Sequence, residues 1–353
     1  MNFSNFTNTT AVAPFPNLLP AKQAELTAWI AITLAICFFG TLNNIVLLRV
    51  TWPLKRQKYG ISLQLFHFVT VNLTMCLVTI PATVFLVHAK RNGWPIQSNA
   101  CAFIHTLYSI NLFLVNWADG GLAVNRFVAL YFPHSYKSWS TTRVNAAVIG
   151  GSWAICIGSA LPTTFSAGGQ GMAMSALGQC TVLPTGALGA FLLISGVYFM
   201  SAISGVGSLL ILWKCLRFRI TTAPVVPDTH ADAGVRERTA HRRLNMAKML
   251  LFTFIWTFVC AVPGFVVVTR FPLFLRVNPV SGLWIRTCIA CQYAFTPCIL
   301  LLSNPEYRRR AKLLIRNEPV PVLERDATSR NTKRASTRGI QIRSVLDREG
   351  GDS

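Results

Sequence analysis

At 353 residues the chain is long enough for two or three soluble domains, but its composition excludes them: 52% of residues are apolar, only 13% are charged, and the mean hydropathy is +0.45, where soluble domains carry about 25% charge. The net charge of +21 does not indicate a nucleic-acid binder, because the basic residues are spread over four segments that flank apolar runs. Most of the ten cysteines lie inside those runs, where they read as small core residues and not as a disulfide scaffold.

In chain order, Asn2, Asn5 and Asn8 come first, each opening an Asn-x-Ser/Thr triplet with Ser4, Thr7 and Thr10. Three acceptors ahead of any apolar run read as a glycosylated lumenal or extracellular tail; the triplet at Asn72 lies inside a span and is set aside. Uncharged runs follow at Leu26–Leu48, Tyr59–Val87 and Asn92–Ala118. Val144–Trp213 is long enough for two spans, parted by a Gly-rich break near Gly168–Gly178, and Met249–Thr269 and Thr287–Pro305 complete the set. A bilayer core takes about 20 apolar residues as a helix, so the expectation is an all-α membrane protein with seven transmembrane helices. The first run lies too far from the start, and is too long, for a removable signal peptide.

Laid out alternately, the loops place Lys22, Lys90, Arg91, Arg270, Arg276 and Arg286 on one side and the other 27 of 33 basic residues on the opposite side. The crowded side reads as cytoplasmic, with added attraction to anionic lipid. That puts the N-terminus outside, the C-terminus in the cytoplasm, and the chain in the plasma membrane as a multi-pass protein.

The third span opens at Cys101 and closes at Asn125-Arg126-Phe127, with Pro133 seven residues beyond the arginine and Trp94 seven before the cysteine. Trp153 centres the fourth span and Pro162 lies near its end. Asn44 follows Gly40 in the first span, and Thr79-Ile80-Pro81 ends the second. Cys260-Ala261-Val262-Pro263 marks the sixth span, and Thr296-Pro297-Cys298-Ile299-Leu300 the seventh. Asn304-Pro305-Glu306-Tyr307-Arg308 then begins a short amphipathic segment. In their mutual spacing these resemble the rhodopsin-like (class A) G-protein-coupled receptors over residues 25 to 316. The Asp-Arg-Tyr, Cys-Trp-x-Pro and Asn-Pro-x-x-Tyr motifs are each altered.

The resemblance implies a seven-helix bundle with a short eighth helix. Its parts are a glycosylated tail over 1–24, a receptor domain over 25–303, the eighth helix over 304–316 and a disordered cytoplasmic tail over 317–353. It implies Cys180 as the disulfide partner of Cys101, at the mouth of a ligand pocket. It makes Arg126 the contact to a heterotrimeric G-protein, with Asn125, Phe127, Asp119, Thr296 and Pro297 as the other coupling and switch residues. Asn125 stands where the family has an acid, and Arg242 and Arg243 stand where an acidic partner often sits, so charge restraint on Arg126 is expected to be weak. The polar core is expected at Asn44, Asn72, Asn111 and Gln292 with Thr296. Asn72 replaces the acid that holds a sodium ion in the family, and no metal or other cofactor is expected.

Asp119 is the one acid inside the predicted spans, seven residues before Arg126 on nearly the same helix face. An intramembrane acid is functional by default. Two readings stand: a relocated anion for the cluster of Asn44, Asn72 and Thr296, or a protonated hydrogen-bond donor.

Tyr108 occupies the position where amine receptors carry an acid, which disfavours a biogenic amine. The outer pocket candidates are His105, Tyr108 and Arg286. Arg286 reads either as the partner of an acidic ligand or as a side chain snorkelling to the interface. An acidic small molecule, a lipid and a peptide remain open. Thr328, Ser329, Thr332, Ser336 and Thr337 are phosphorylation candidates for kinases and an arrestin. Nothing in the sequence clusters like an enzyme's nucleophile, metal set or phosphate loop. The rival readings are a receptor fold without signalling and a small-solute transporter, the latter weakened by the lack of an internal repeat.

Overall fold

The computed structural model describes residues 18–52, 61–132, 134–165, 170–184, 187–221, 249, 251–264, 266–267, 270–271, 274 and 277–316. The glycosylation triplets, Arg242, Arg243 and the segment after 316 lie outside them. Residues 1–311 form one compact unit, and a second begins at Lys312.

Among the described residues six helices are long and apolar enough to cross a membrane, and a shorter apolar helix, Leu251–Gly264, occupies the sixth predicted run. The fold is the seven-span bundle expected of the sequence. Span one is Pro20–Thr51, begun by a proline at the first helical position, where its missing N–H costs nothing. Span two runs from Ile61 to Arg91 and contains a π-helical turn at Met75–Thr79. That turn lies just before Pro81, where a wider turn accommodates a ring that a regular helix would clash with.

Span three is Ser98–Tyr131 and span four Thr142–Thr164. Span five runs from Ala187 through a π-helical turn at Ile194–Phe199 to Thr221. Span seven is Pro279–Ser303, and Pro305–Ile315 forms the eighth helix. A one-turn helix, Tyr136–Trp139, links spans three and four.

The one departure from an all-helical chain among the described residues is a hairpin in the Gly-rich break. Strand β1 (Gln170–Met174) pairs antiparallel with β2 (Cys180–Pro184), Met174 opposite Cys180. Its turn presses on span two. Gly178 has φ +85°, and a Cβ there would come within 2.7 Å of the Lys90 Cβ and 2.9 Å of the Leu86 carbonyl oxygen, so both the backbone and the space require glycine.

Span three is the hub, touching spans two, four and five and β2. Its buried Phe113, Leu114, Val115 and Leu122 join one core with Met75 of span two and Tyr293 of span seven. Spans one and seven meet closely at Gly40, where a Cβ would lie 2.8 Å from Ala294 Cα. Large apolar side chains such as Phe38, Phe39, Phe191 and Phe258 face outward, an arrangement that suits lipid and not water.

Candidate functional site

At the Cys101 end a disulfide joins Cys101, at the start of span three, to Cys180 at the start of β2, with their Cα atoms 5.9 Å apart. The bridge holds the hairpin over the bundle. Beneath it Arg286 of span seven donates to the Cys180 carbonyl at 3.3 Å, and its guanidinium lies 5.9 Å from the Tyr108 ring centre. His105 Nδ1 lies 3.2 Å from Ser109 Oγ. His105, Tyr108, Gln179, Cys180 and Arg286 close around a space of about 10 Å³, which is room for about one water.

All three predicted pocket residues therefore come together. Arg286 points into the bundle toward the hairpin and does not reach out to the interface. Trp94 is half exposed, whereas Trp284 donates to Glu25 at 3.2 Å, and Glu25 also pairs with Lys22 at 2.7 Å.

The predicted polar core is only partly connected. Asn44 donates to the Gly40 carbonyl at 2.8 Å and to the Tyr293 carbonyl of span seven at 3.3 Å; its buried Oδ1 has no partner. Asn111 reaches Thr79 at 3.3 Å, and Gln292 reaches Thr257 at 3.4 Å. Asn72 and Thr296 spend their donors on carbonyls of their own helices, Phe68 and Gln292.

Asp119 belongs to a different face, and the relocated-anion reading is corrected here. Ser204 of span five donates to Asp119 Oδ2 at 2.6 Å, and one turn away Ser201 donates to Asn116 Oδ1 at 3.1 Å. No hydrogen bond among the described residues ties Asp119 to Asn44, Asn72 or Thr296. Helical geometry gives the reason. At about 100° per residue, Asp119 stands about 80° round from Asn111, which turns it from the core toward span five. The seam was readable in the sequence: Asn116 and Asp119 on one span, Ser201 and Ser204 on another, each pair spaced for one helix face.

At the Arg126 end, Asn125 is held from two sides. Tyr136 of the one-turn helix donates to its Oδ1 at 3.3 Å, and Asn125 donates to Asn145 of span four at 3.4 Å. Arg126 is half-buried and close enough to the Tyr136 and Tyr307 phenols for its charge to act on both. Burial pushes the Tyr136 phenol up from its usual range, and the Arg126 charge offsets part of that rise. The Tyr307 phenol is raised and offset in the same way.

Phe127 stacks on Tyr131 with ring centres 4.4 Å apart. Tyr131 donates to the Leu210 carbonyl at 3.0 Å. Lys214 donates to the Leu130 carbonyl at 2.9 Å and sits 4.0 Å over the Tyr131 ring. Spans three and five are thus fastened at this end. Thr296 and Pro297 are buried in span seven, and Arg310 of the eighth helix pairs with Glu306 at 2.6 Å while reaching the Val50 carbonyl at 3.5 Å.

The described residues thus form a bundle of membrane-length helices with a bridged hairpin over one end and Arg126 near tyrosine side chains at the other. Its class follows from comparison as well as from shape: the profile of the 7 transmembrane receptor (rhodopsin family) matches residues 43–301, and the chain belongs to that family, which is one of receptors and not of enzymes. G-protein coupled receptor 26 of Mus musculus is 27% identical over 302 residues, covering 77% of this chain and 85% of that receptor. G-protein coupled receptor 183-A of Danio rerio is 26% identical over 128 residues, 36% of this chain and only 34% of that protein. Atypical chemokine receptor 3 of Rattus norvegicus is 24% identical over 147 residues, 42% and 40% of the two chains.

Proposed function

We propose that the chain is a plasma-membrane receptor that takes an anionic ligand at Arg286 and activates a heterotrimeric G-protein through Arg126. The N-terminus would lie outside, with residues 1–24 glycosylated at Asn2, Asn5 and Asn8. The receptor domain would span 25–303, the eighth helix 304–316, and a cytoplasmic tail 317–353 would be open to kinases and an arrestin. The basic loops and the acceptor triplets both support this orientation.

One observation carries the ligand reading. Arg286 sits inside the outer end of the bundle beside the Cys180 carbonyl, the Tyr108 ring, His105 and Gln179, with no carboxylate at ion-pair distance among the described residues. A guanidinium so placed favours a carboxylate or phosphate. Of the open ligand classes, those with an acidic group fit best, whether small molecule, lipid or peptide. Tyr108 leaves no anion to hold an amine. The narrowness of the space means that a ligand must displace the hairpin or turn Arg286.

A screen of acids against their own amides, read by G-protein activation in cells expressing the receptor, tests this. Activation by acids that fails with the matched amides supports the reading. A best activator whose amide or ester is equally potent would reject it.

A further inference from the structure

On the outside of the bundle, between spans three and five, lies a groove of about 340 Å³ with a wholly apolar lining. Span three supplies Val124 and Phe127. Span five supplies Phe199, Ala202, Ile203, Val206, Gly207 and Leu210. Steps of three and four residues trace one face of a helix, so the groove is a continuous strip along span five. Val124, Phe199 and Val206 are 40%, 53% and 57% exposed, and the strip therefore faces lipid. Gly207 deepens it. A Cβ at that position would meet Ala123 Cβ at 3.6 Å, an ordinary contact, so packing does not demand the missing side chain.

The strip has the depth of one leaflet. From Phe199 to Leu210 the helix rises about 17 Å at about 1.5 Å per residue, and half of an approximately 30 Å hydrocarbon core is about 15 Å. At the Arg126 end the same face continues four residues on to Lys214 and three more to Arg217. The contact of Lys214 with the Leu130 carbonyl uses one of the three donors of an ammonium group. The Arg217 side chain is exposed. An apolar strip one leaflet deep that ends in two cations matches one kind of molecule: a long acyl chain joined to an anionic headgroup. A sterol offers only a hydroxyl at its polar end, a weaker partner for a basic side chain than a phosphate.

We propose that this groove binds one anionic phospholipid, with an acyl chain along the strip and its phosphate at Lys214 and Arg217. The lipid packs on Phe127, the residue after Arg126, and so touches the turn that carries the candidate switch. The site stands whichever way the chain is oriented; in the orientation proposed above, its lipid belongs to the cytoplasmic leaflet.

The test uses the full-length receptor in detergent, titrated with phosphatidylserine or with phosphatidylcholine of identical acyl chains and read by native mass spectrometry. The parent is expected to retain one phosphatidylserine with about tenfold preference over phosphatidylcholine, the scale of basic side chains acting near a headgroup. Gly207→Leu fills the strip and removes the retained molecule. Ala202→Phe, at an exposed position, fills it by a second route should Gly207→Leu fail to fold. Lys214→Gln combined with Arg217→Gln abolishes the preference for the anionic lipid, whereas Lys214→Arg keeps it, which separates charge from local packing at Tyr131. Equal retention of the two lipids by the parent, retention of neither, or unchanged phosphatidylserine in the filled variants would each overturn the site and leave only ordinary surrounding lipid.

Discussion

Ser204 Oγ donates to Asp119 Oδ2 across 2.6 Å, which fixes the acid of span three to span five and not to the polar core. With the parallel bond from Ser201 to Asn116 at 3.1 Å, it forms a short polar seam. Ser204→Ala leaves the carboxyl without that partner and should lower stability by about 1–3 kcal/mol, read as thermal unfolding of the purified receptor. Combining it with Asp119→Leu should cost less than the sum of the single changes, because no unpartnered carboxyl remains. Strict additivity would show that the bond does not couple the two spans.

The proposed coupling through Arg126 gives the seam a second test, since Asp119 lies two turns from Arg126 on the same helix. Asp119→Asn keeps the shape and a hydrogen-bonding group, while Asp119→Leu keeps neither. If the charge matters, both should change basal G-protein activation at equal surface level; if only the hydrogen bond matters, Leu alone should. Two variants that signal like the parent would remove Asp119 from the switch.

Arg286 provides the sharpest ligand prediction. Arg286→Gln should weaken an active acid by about 1.5–3 kcal/mol, the usual worth of a hydrogen bond to a charged group. Concentration–response curves for an acid and its amide on both receptors give the comparison. Potency of the acid unmoved by the substitution would make Arg286 a hairpin anchor only.

At the opposite end, Asn125 is engaged by Tyr136 and Asn145. Asn125→Asp places a carboxylate beside Arg126 and should reduce basal activation, and Arg126→Ala should reduce activation while the protein still reaches the surface. Higher basal activity in Asn125→Asp would show that the neutral residue is not what keeps restraint weak.

Topology is tested at the other terminus. Replacing Asn2, Asn5 and Asn8 by Gln should abolish a glycosidase-sensitive shift in gel mobility, and an antibody to an N-terminal tag should stain intact cells. Staining of surface-expressed receptor only after permeabilisation would place the tail inside.

Span positions were legible in the sequence because a bilayer demands long uncharged runs, and each run from Leu26 to Pro305 left its mark. The Cys101–Cys180 bridge was legible as what the family resemblance implies, and the structure forms it. The hairpin was not. Gln170–Met174 has no alternation of apolar and polar residues, and its pairing depends on the bridge and on the fit of Gly178 against Lys90, both long-range. The facing of Asp119 was misjudged because its angle was measured from Arg126 and not from Asn111, and small angular errors grow along a helix. The groove beside Gly207 escaped notice for another reason: a lipid-facing glycine looks the same in sequence as one that packs two helices together.

The carbonyl of Cys180 holds Arg286 with an uncharged acceptor. On the reading proposed above, an acid arriving there would compete against the protein's own backbone, and a carboxylate can take two parallel guanidinium N–H bonds where the carbonyl takes one. The backbone would thus act as a placeholder that sets a threshold: a neutral acceptor would gain little by replacing it, and an anion would gain more. Because that same residue is bridged to span three, an acid that evicted the carbonyl would remove one of two links from Arg286 to span three and leave the Tyr108 ring as the other.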